Sequence, residues 1–385
     1  MVALWVCLLA VSRLLVGESP TQANQTTNRT GEYSLAHPDF IYNSARVART
    51  SSSESRPSVD VNIRLLSYNI FLRPPAPRFT HNVVNDYKDR RLSSFITMYL
   101  NRYDIICLQE MFGSLSSRRA RLIQEASLRG FKWVVQSHRP MNFLVDGGLL
   151  ILSRVKIAAY DYTVFQPGVM SDRLSAKGAL YAKLEPSPGT YIHLFVTHLQ
   201  AVYADPKSNA KCLGVQYRQY DELTNFIRAT IRANDSAGPG RRWPILVTGD
   251  FNCNSRSPRD GTQSTVHYRR LTESLSRIGQ FHDVLFEKYQ QHPVTYAYAH
   301  FQADGSFIPA ERALTHPDDY APSGEHVNQS LDYVFLFPSI QTEDATIKSA
   351  RVGHLKYYTS PISHPAPNLE YLSDHLGVET EIHVR

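Results

Sequence analysis

From Val61 onward, short apolar runs alternate with longer segments in which apolar residues return every three or four positions. The first kind reads as strand and the second as one face of a helix. Strands are predicted over 63–68, 105–108, 132–136, 148–152, 179–183, 192–197, 245–248, 331–336, 347–354 and 376–382. Helices are predicted over 90–100, 118–129, 217–233 and 268–278. Such an alternation predicts a mixed α/β protein with sheets sandwiched between helices. No period of solenoid length is visible.

The pattern is absent before Val61. Residues 18–59 are rich in Ser, Thr, Asn, Arg and Pro without periodicity and read as a flexible leader. Ahead of them, the apolar stretch of Met1–Gly17 is too short to span a bilayer and is broken by Arg13. We read residues 1–23 as a signal peptide, 24–60 as the leader and 61–385 as one domain. An uncleaved anchor is the alternative. Asn24, Asn28, Asn234 and Asn328 each have Thr or Ser two residues on, the pattern of glycan acceptors in a secretory chain. The expectation is a secreted or extracellular protein, or one kept in the secretory lumen or anchored by its signal.

Composition changes this picture little. With 42% hydrophobic residues in 385, the chain can bury a large core. A formal charge of +6 favours anionic partners such as nucleic acid or acidic membranes, although a merely basic soluble protein has the same balance. Cys7 lies in the signal segment, so Cys107, Cys212 and Cys253 remain, too few for a complete disulfide framework. Cys107, inside Asp104-Ile-Ile-Cys-Leu, reads as a buried free thiol, and a bridge between Cys212 and Cys253 stays open.

The chemistry lies where apolar strands run into polar residues. Strand 65–68 meets Asn69, strand 105–108 meets Gln109-Glu110, strand 194–197 meets His198, and strand 245–248 meets Gly249-Asp250-Phe-Asn252. Strand-end loops on a rigid sheet are where α/β enzymes assemble sites. Singly, each has a structural reading: Asn69 as a turn residue, Glu110 as a solvated strand end, His198 as a satisfied buried histidine, Asp250 and Asn252 as an Asx-turn, Asp332 as a strand cap.

Together, Asn69, Glu110, His198, Asp250-Phe-Asn252, Asp332 and Ser373-Asp374-His375 follow the order and spacing of the endonuclease/exonuclease/phosphatase superfamily, which the chain resembles from about Asn62 to His383. The resemblance implies a four-layer α/β/β/α sandwich of deoxyribonuclease I type, with the site at one edge of the paired sheets. It also implies phosphodiester hydrolysis. A hard divalent cation with oxygen ligands suits that reaction, so Mg²⁺ is expected, with Mn²⁺ or Co²⁺ able to substitute, at Glu110, Asn69 and Asp374. His375 is the expected general base, oriented by Asp332 as the resemblance implies. Asp250 and Asn252 would position water and phosphate, and His198 would donate to a non-bridging oxygen. Asp172 would assist the leaving group by resemblance, while Lys177 is read either as added charge or as an ordinary surface lysine.

Within the superfamily, the segments beginning at Asp146, Ser171 and Thr197 resemble bacterial-type neutral sphingomyelinases. That resemblance implies hydrolysis of sphingomyelin to ceramide and phosphocholine at a phospholipid surface, with no obligate protein partner. Departures from it exist. Val169-Met-Ser lacks the cysteine that pairs with the loop cysteine in those relatives, so no disulfide is carried over, and residues 355–373 are too short and proline-rich for the long aromatic hairpin of haemolytic members. An edge metal site matches at Asp146 and the carbonyl of Phe112, but Val145 and Ser114 replace two of its ligands, so a weak edge site or none is expected. Phe143 and Leu144, in an apolar loop after Arg139-Pro140, read either as membrane contacts or as core. The competing enzyme is a secreted nuclease of deoxyribonuclease type, which alone would make nucleic acid a partner. Phe71, where many superfamily nucleases carry an acidic residue, stands against it. A catalytically inactive binding module would require a missing central residue, and none is missing.

Overall fold

The computed structural model describes residues 60–74, 86–202, 206–235, 238, 242–257, 260–304, 306–314, 327–340, 345–357 and 369–384. The signal segment, almost all of the leader, and the sequons at Asn24 and Asn28 lie outside the described residues.

In chain order the elements are β1 (Val61–Leu72), α1 (Lys88–Met98), β2 (Ile105–Met111), α2 (Arg118–Leu128), β3 (Trp133–Gln136), β4 (Leu150–Ser153), β5 (Lys156–Val164), β6 (Gly178–Ser187) and β7 (Thr190–His198). They continue with α3 (Pro206–Asn234), β8 (Ile245–Asp250), α4 (Val266–Ser276), β9 (His282–Asp283), α5 (Val284–Tyr289), β10 (Ala299–Phe301), β11 (Phe307–Pro309), β12 (Asp332–Phe337), β13 (Ala345–Gly353) and β14 (Gly377–Val384). One six-stranded sheet has the order β13-β14-β1-β2-β4-β3 and the other β5-β6-β7-β8-β12-β9, with β10 and β11 as a separate ribbon.

The layering follows from side-chain alternation along strands buried on both faces. Ile63, Leu65, Ile105 and Cys107 of the first sheet meet Leu180, Ala182, Leu194, Val196, Leu246 and Val334 of the second in a core between the sheets. Their neighbours of opposite parity, Leu66, Tyr68, Ile106 and Leu108, pack with Leu92, Phe95 and Leu122 of α1 and α2. On the far side Tyr181, Phe195, Val247, Tyr333 and Phe335 pack with Tyr220, Leu223, Leu271 and Leu275 of α3 and α4. The four-layer α/β/β/α sandwich read from the sequence is the fold.

Differences from the predicted elements have local causes. β5, outside the predicted strands, is an edge strand with mostly exposed or half-exposed residues, although its Tyr160-Asp-Tyr-Thr-Val164 segment alternates apolar with polar. α5, with six residues, is too short for periodicity; it is started by Asp283, whose Oδ1 accepts from the amides of Leu285 and Phe286 at 3.1 and 3.0 Å. α3 begins eleven residues before the predicted 217, since 217 − 206 = 11. Cys107, Cys212 and Cys253 are all buried and none is in a disulfide, so the open Cys212–Cys253 bridge is not formed.

A buried and a half-buried histidine, His292 and His354, tie stability to pH. His292 lies against Tyr268 and Phe286, with ring centroids 4.6 Å away in each case, and its Nε2 pairs with Ser264 Oγ at 2.9 Å. His354 stacks on Tyr371 at 3.9 Å. Burial pushes both imidazoles down to about 4, helped by Arg256 at the first and by His300 and Lys356 at the second. Each ring therefore stays neutral in the fold, while the unfolded chain takes up a proton below about pH 6.5. Their contribution is fully present above about pH 6.5 and is lost as pH falls toward about 4. Calorimetry across that window is expected to show a falling thermal midpoint, and His292→Gln should flatten the fall. Equal slopes for the two proteins would show that His292 is not responsible.

Candidate active site

Each strand that leads into the site keeps, at its polar end, the parity of its core-facing residues. On β1 and β2, Asn69 and Gln109 pair in register and continue the faces of Leu65 and Ile105. On the second sheet His198 pairs with Asp250, and Asp250 with Asp332, continuing the faces of Val196, Leu246 and Val334. All five side chains therefore turn into the space between the sheets where its apolar filling ends. β1 and β2 are parallel, as are β7 and β8, while β12 runs antiparallel to β8 and begins with Asp332, which brings these ends to one edge.

His375 Nδ1 lies 2.9 Å from Asp332 Oδ2, and both side chains are buried. Asp250 Oδ2 lies 3.7 Å from His375 Nε2 and 3.5 Å from His198 Nε2, and accepts from Asn69 Nδ2 at 2.9 Å. That last bond joins the two sheets. Desolvation disfavours the His375 imidazolium, but the Asp332 and Asp250 carboxylates outweigh it and raise the group above its usual range. Burial raises Asp250, against the pull of His375. The ring of Tyr296 sits 4.7 Å from that of His375, and Thr295 Oγ1 accepts from the Asp332 amide at 3.0 Å.

Asp250, Asp332 and His375 present ligand atoms within 4.8 Å of one another, a buried group that could hold a metal ion. Beside it, Asn69 Nδ2 lies 3.3 Å from Glu110 Oε1, whereas Glu110 Oε2 is buried with no hydrogen-bond partner. A buried carboxylate oxygen without a donor is costly, and a cation would satisfy it. Burial raises Asp374 against the pull of His375, and the Glu110 charge adds to the rise. Glu110 and Asp374 thus offer oxygens that fit a hard cation, while Asn69 turns Nδ2 toward Glu110 and its Oδ1, which accepts from the Phe71 amide at 3.1 Å, keeps one lone pair for the ion.

A second cluster flanks His198. Lys177 is buried rather than an ordinary surface lysine, and its Nζ contacts Asp172 Oδ2 at 3.0 Å, His198 Nε2 at 3.1 Å and the Leu199 carbonyl at 2.6 Å. Burial, then Lys177 and His375, hold His198 well below its usual range, so the ring is neutral. With Lys177 donating to Nε2, the ring proton belongs on Nδ1. Donation from Nε2 to a phosphate oxygen therefore requires the other ring tautomer, with the ammonium left on Asp172 and the Leu199 carbonyl. Asp172 lies in the 3₁₀ turn Met170–Leu174 and also accepts from the Ala201 amide at 2.8 Å, while Asn252 Nδ2 donates to Leu199 O at 3.0 Å. Glu110 and Asn252 have φ of 56° and 49°, and Phe71, just past Asn69, has 53°. Non-glycine residues in this region carry strain, and three of them around one cleft is a concentration typical of functional sites.

Several expected residues lie elsewhere or are already engaged. Asp146 is saturated: Oδ1 accepts from Gly148 N at 2.8 Å, Ser137 Oγ at 3.1 Å and Arg119 Nη1 at 2.9 Å, and Oδ2 accepts from Gly113 N at 3.0 Å, Ser114 N at 2.7 Å and Ser114 Oγ at 2.8 Å. A carboxylate offers about four lone-pair directions. Burial raises its pKa, but Arg119 and these donors outweigh that and hold it below the usual range. The residues of the edge site at Asp146 and Phe112 therefore do not fit a metal ion, because a guanidinium holds the cation position. Phe143 is a correction too: it is buried, so of the two proposed membrane contacts only Leu144, 46% exposed, faces solvent, together with Met141 at 99%. Asn328 cannot accept a glycan in this fold, since its amide is buried and pairs with the Ala299 carbonyl and amide at 3.1 and 2.9 Å. Asn234 ends α3, with Nδ2 on the Thr230 carbonyl at 3.0 Å. Sequence reasoning missed Tyr296, Thr295 and Arg119, none of which stands in a motif or at the end of an apolar run.

The sequence matches the Endonuclease/Exonuclease/phosphatase family over residues 66–375, which include every site residue from Asn69 to His375. It is 33% identical over 296 residues to a sphingomyelinase of Dictyostelium discoideum, covering 67% of this chain and 61% of that one. It is 24% identical over 230 residues to sphingomyelinase C of Listeria ivanovii, covering 56% of this chain and 62% of that one. The chain thus spans less than two thirds of these relatives. Among solved structures, the fold is shared with beta toxin of Staphylococcus aureus with bound magnesium ions (TM-score 0.55, 17% identity, 83% of this chain and 99% of that one). It is also shared with sphingomyelinase C of Streptomyces griseocarneus (TM-score 0.54, 18% identity, 83% of this chain and 99% of that one). With the sandwich, the edge site and the match from strand β1 to His375 in agreement, the chain belongs to the endonuclease/exonuclease/phosphatase family.

Proposed function

We propose that this protein is a Mg²⁺-dependent phosphodiesterase that hydrolyses sphingomyelin to ceramide and phosphocholine. The observation that carries the reading is the complete Asn69, Glu110, Asp250, Asp332 and His375 constellation in a chain 33% identical to a sphingomyelinase. Glu110, Asn69 and Asp374 would hold the cation, and the open Oε2 of Glu110 supports that assignment. A bound Mg²⁺ supplies charge neutralisation for phosphate oxygens; Mn²⁺ or Co²⁺ would serve in its place. The magnesium ions of the Staphylococcus aureus toxin of the same fold agree with this choice.

His375 in its neutral form takes the proton of the attacking water at Nε2, since Nδ1 is held by Asp332; the nearby Asp332 and Asp250 carboxylates make the ring a strong acceptor and stabilise the imidazolium formed. Asp250, next to Nε2, positions that water. Lys177 and His198 face charge on the non-bridging oxygens, with Asn252 beside them. As water oxygen bonds to phosphorus, the bond from phosphorus to the ceramide oxygen breaks. We assign the assistance to that alkoxide to Asp172, which holds the Lys177 ammonium, and the ammonium supplies the proton.

The substrate is presented by a bilayer, and Met141 and Leu144 give the chain an apolar contact next to the Leu174 segment, where the amide of Leu144 bonds Leu174 O at 3.0 Å. The reading also places the protein outside the cell or in the secretory lumen. Among the described residues no helix is long and apolar enough to cross a membrane.

The test is incubation of the full chain with vesicles of sphingomyelin, phosphatidylcholine or inositol lipids, and with DNA, with and without Mg²⁺. Phosphocholine release from sphingomyelin first, and from phosphatidylcholine more slowly, is expected. Met141→Ser with Leu144→Ser should slow hydrolysis on vesicles while sparing a soluble phosphocholine ester. Cleavage of DNA without phosphocholine release would assign the site to a nuclease, and equal loss on vesicle and soluble substrates would assign Met141 and Leu144 to packing.

A further inference from the structure

Arg91 is a fully buried guanidinium on α1 that belongs to no motif. It serves carbonyls more than carboxylates. Nε donates to Asp86 O at 2.6 Å, Nη1 to Ile70 O at 2.9 Å and Leu372 O at 2.7 Å, and Nη2 to Phe71 O at 2.7 Å. The Asp86 carboxylate lies 3.9 Å away and also contacts Lys88 Nζ at 3.1 Å.

Two of those carbonyls, of Ile70 and Phe71, have a common origin. The β1–β2 ladder shifts register between Asn69 and Leu72, and Phe71 takes φ of 53°. A bulge re-aims a side chain but leaves backbone groups without ladder partners, and buried partnerless groups are costly. Arg91 supplies the donors for Ile70 and Phe71. The same guanidinium reaches Leu372, two residues before Asp374, and Ser373 Oγ closes the loop by donating to Asn69 O at 2.7 Å. One planar fork thus joins the segment that carries Asn69 to the segment that carries Asp374 and His375.

We propose that Arg91 is a positioning residue that sets the spacing of Asn69 and Asp374 for the metal ion. The inference rests on the metal reading given under Proposed function. Arginine is needed because its donors point in fixed, divergent directions in one plane, whereas a lysine ammonium gathers its donors on one atom and cannot span the same carbonyls.

The experiment uses the full chain as wild type, Arg91→Lys and Arg91→Met. Mn²⁺ affinity is read from the paramagnetic resonance signal of free Mn²⁺, alongside the Mg²⁺ dependence of turnover and the thermal midpoint. Loss of a group that orients ligands weakens metal binding by about 10- to 100-fold. That loss is expected for Arg91→Met, with a smaller one for Arg91→Lys and partial recovery of the methionine variant's affinity in millimolar guanidinium ion. A purely structural arginine would lower the thermal midpoint yet leave Mn²⁺ affinity of the folded protein unchanged. If Arg91→Met fails to fold, Arg91→Lys decides: Mn²⁺ affinity within about twofold of wild type, far below that loss, overturns the proposal. A wild-type protein that binds no Mn²⁺ overturns the metal reading itself and this inference with it.

Discussion

Replacing His375 with alanine is expected to leave a folded protein whose turnover falls by about 10²–10⁴-fold, the range for a lost general base. The ring sits between Asp332 Oδ2 at 2.9 Å and Asp250 Oδ2 at 3.7 Å, so its removal takes away the proton acceptor and leaves two buried carboxylates without their cationic neighbour. Those carboxylates relax by taking up a proton themselves, which keeps the fold while ending the chemistry. If His375 and Asp332 act as one unit, the double variant His375→Ala/Asp332→Ala should be little slower than His375→Ala alone, because residues that act together are strongly non-additive. Steady-state rates on sphingomyelin vesicles, with circular dichroism to confirm folding, check both points. A folded His375→Ala protein with near-normal turnover would remove the mechanism. A double variant slower by the product of the two single effects would show that the residues work separately.

Glu110→Gln should raise the Mg²⁺ concentration for half-maximal activity by at least about 100-fold, because loss even of an outer-shell partner costs about 10- to 100-fold in affinity and Glu110 is placed in the inner set. EDTA should abolish wild-type activity, and Mg²⁺ or Mn²⁺ should restore it. The variant carries a second signature that does not depend on turnover. Glu110 raises the pKa of Asp374 through their like charges, so the neutral amide relieves repulsion in the metal-free protein. Metal-free Glu110→Gln is therefore expected to melt no lower than metal-free wild type, while added Mg²⁺ raises the midpoint of wild type far more than that of the variant. Full activity in chelator, or an equal Mg²⁺-induced rise in both proteins, would move the metal away from Glu110.

Much of the site was legible in the sequence because the same physics writes it twice. A strand buried on both faces is a continuous apolar run, and the residue that breaks the run at the site end stands out whatever its partner. Asn69, Glu110, His198 and Asp250 were found that way. Asp332 and His375 lie 43 residues apart, and their 2.9 Å contact was expected only through resemblance to a family. Lys177 had two readings of equal weight, and its burial beside Asp172 and His198 decided between them.

What escaped were interactions whose partners have no sequence signature. Arg91 sits among apolar and polar residues of an ordinary amphipathic helix, and its partners are backbone carbonyls freed by a bulge. Arg119 is one of several charges on a basic helix, and nothing in the sequence marks it as the partner of Asp146. Phe143 and Leu144 are adjacent and equally apolar, yet one is buried and the other half-exposed, because the loop's backbone path decides which of two neighbours turns inward. Asn328 carries an acceptor triplet that the fold makes inaccessible.

The sequence by itself determined most of the strands and helices, a mixed α/β arrangement with sheets between helices, and the identity of the polar residues at the strand ends, while the four layers were implied by resemblance to the family. Elements and strand ends depend on local periodicity, which a linear chain displays. The tertiary structure alone decided which ends meet: parallel pairing of β1 with β2 and of β7 with β8 brought residues far apart in the chain to one edge. It also decided that Asp146 is answered by Arg119 while Oε2 of Glu110 stays open, since charge compensation is a matter of distance and enclosure, and neither is written in sequence order.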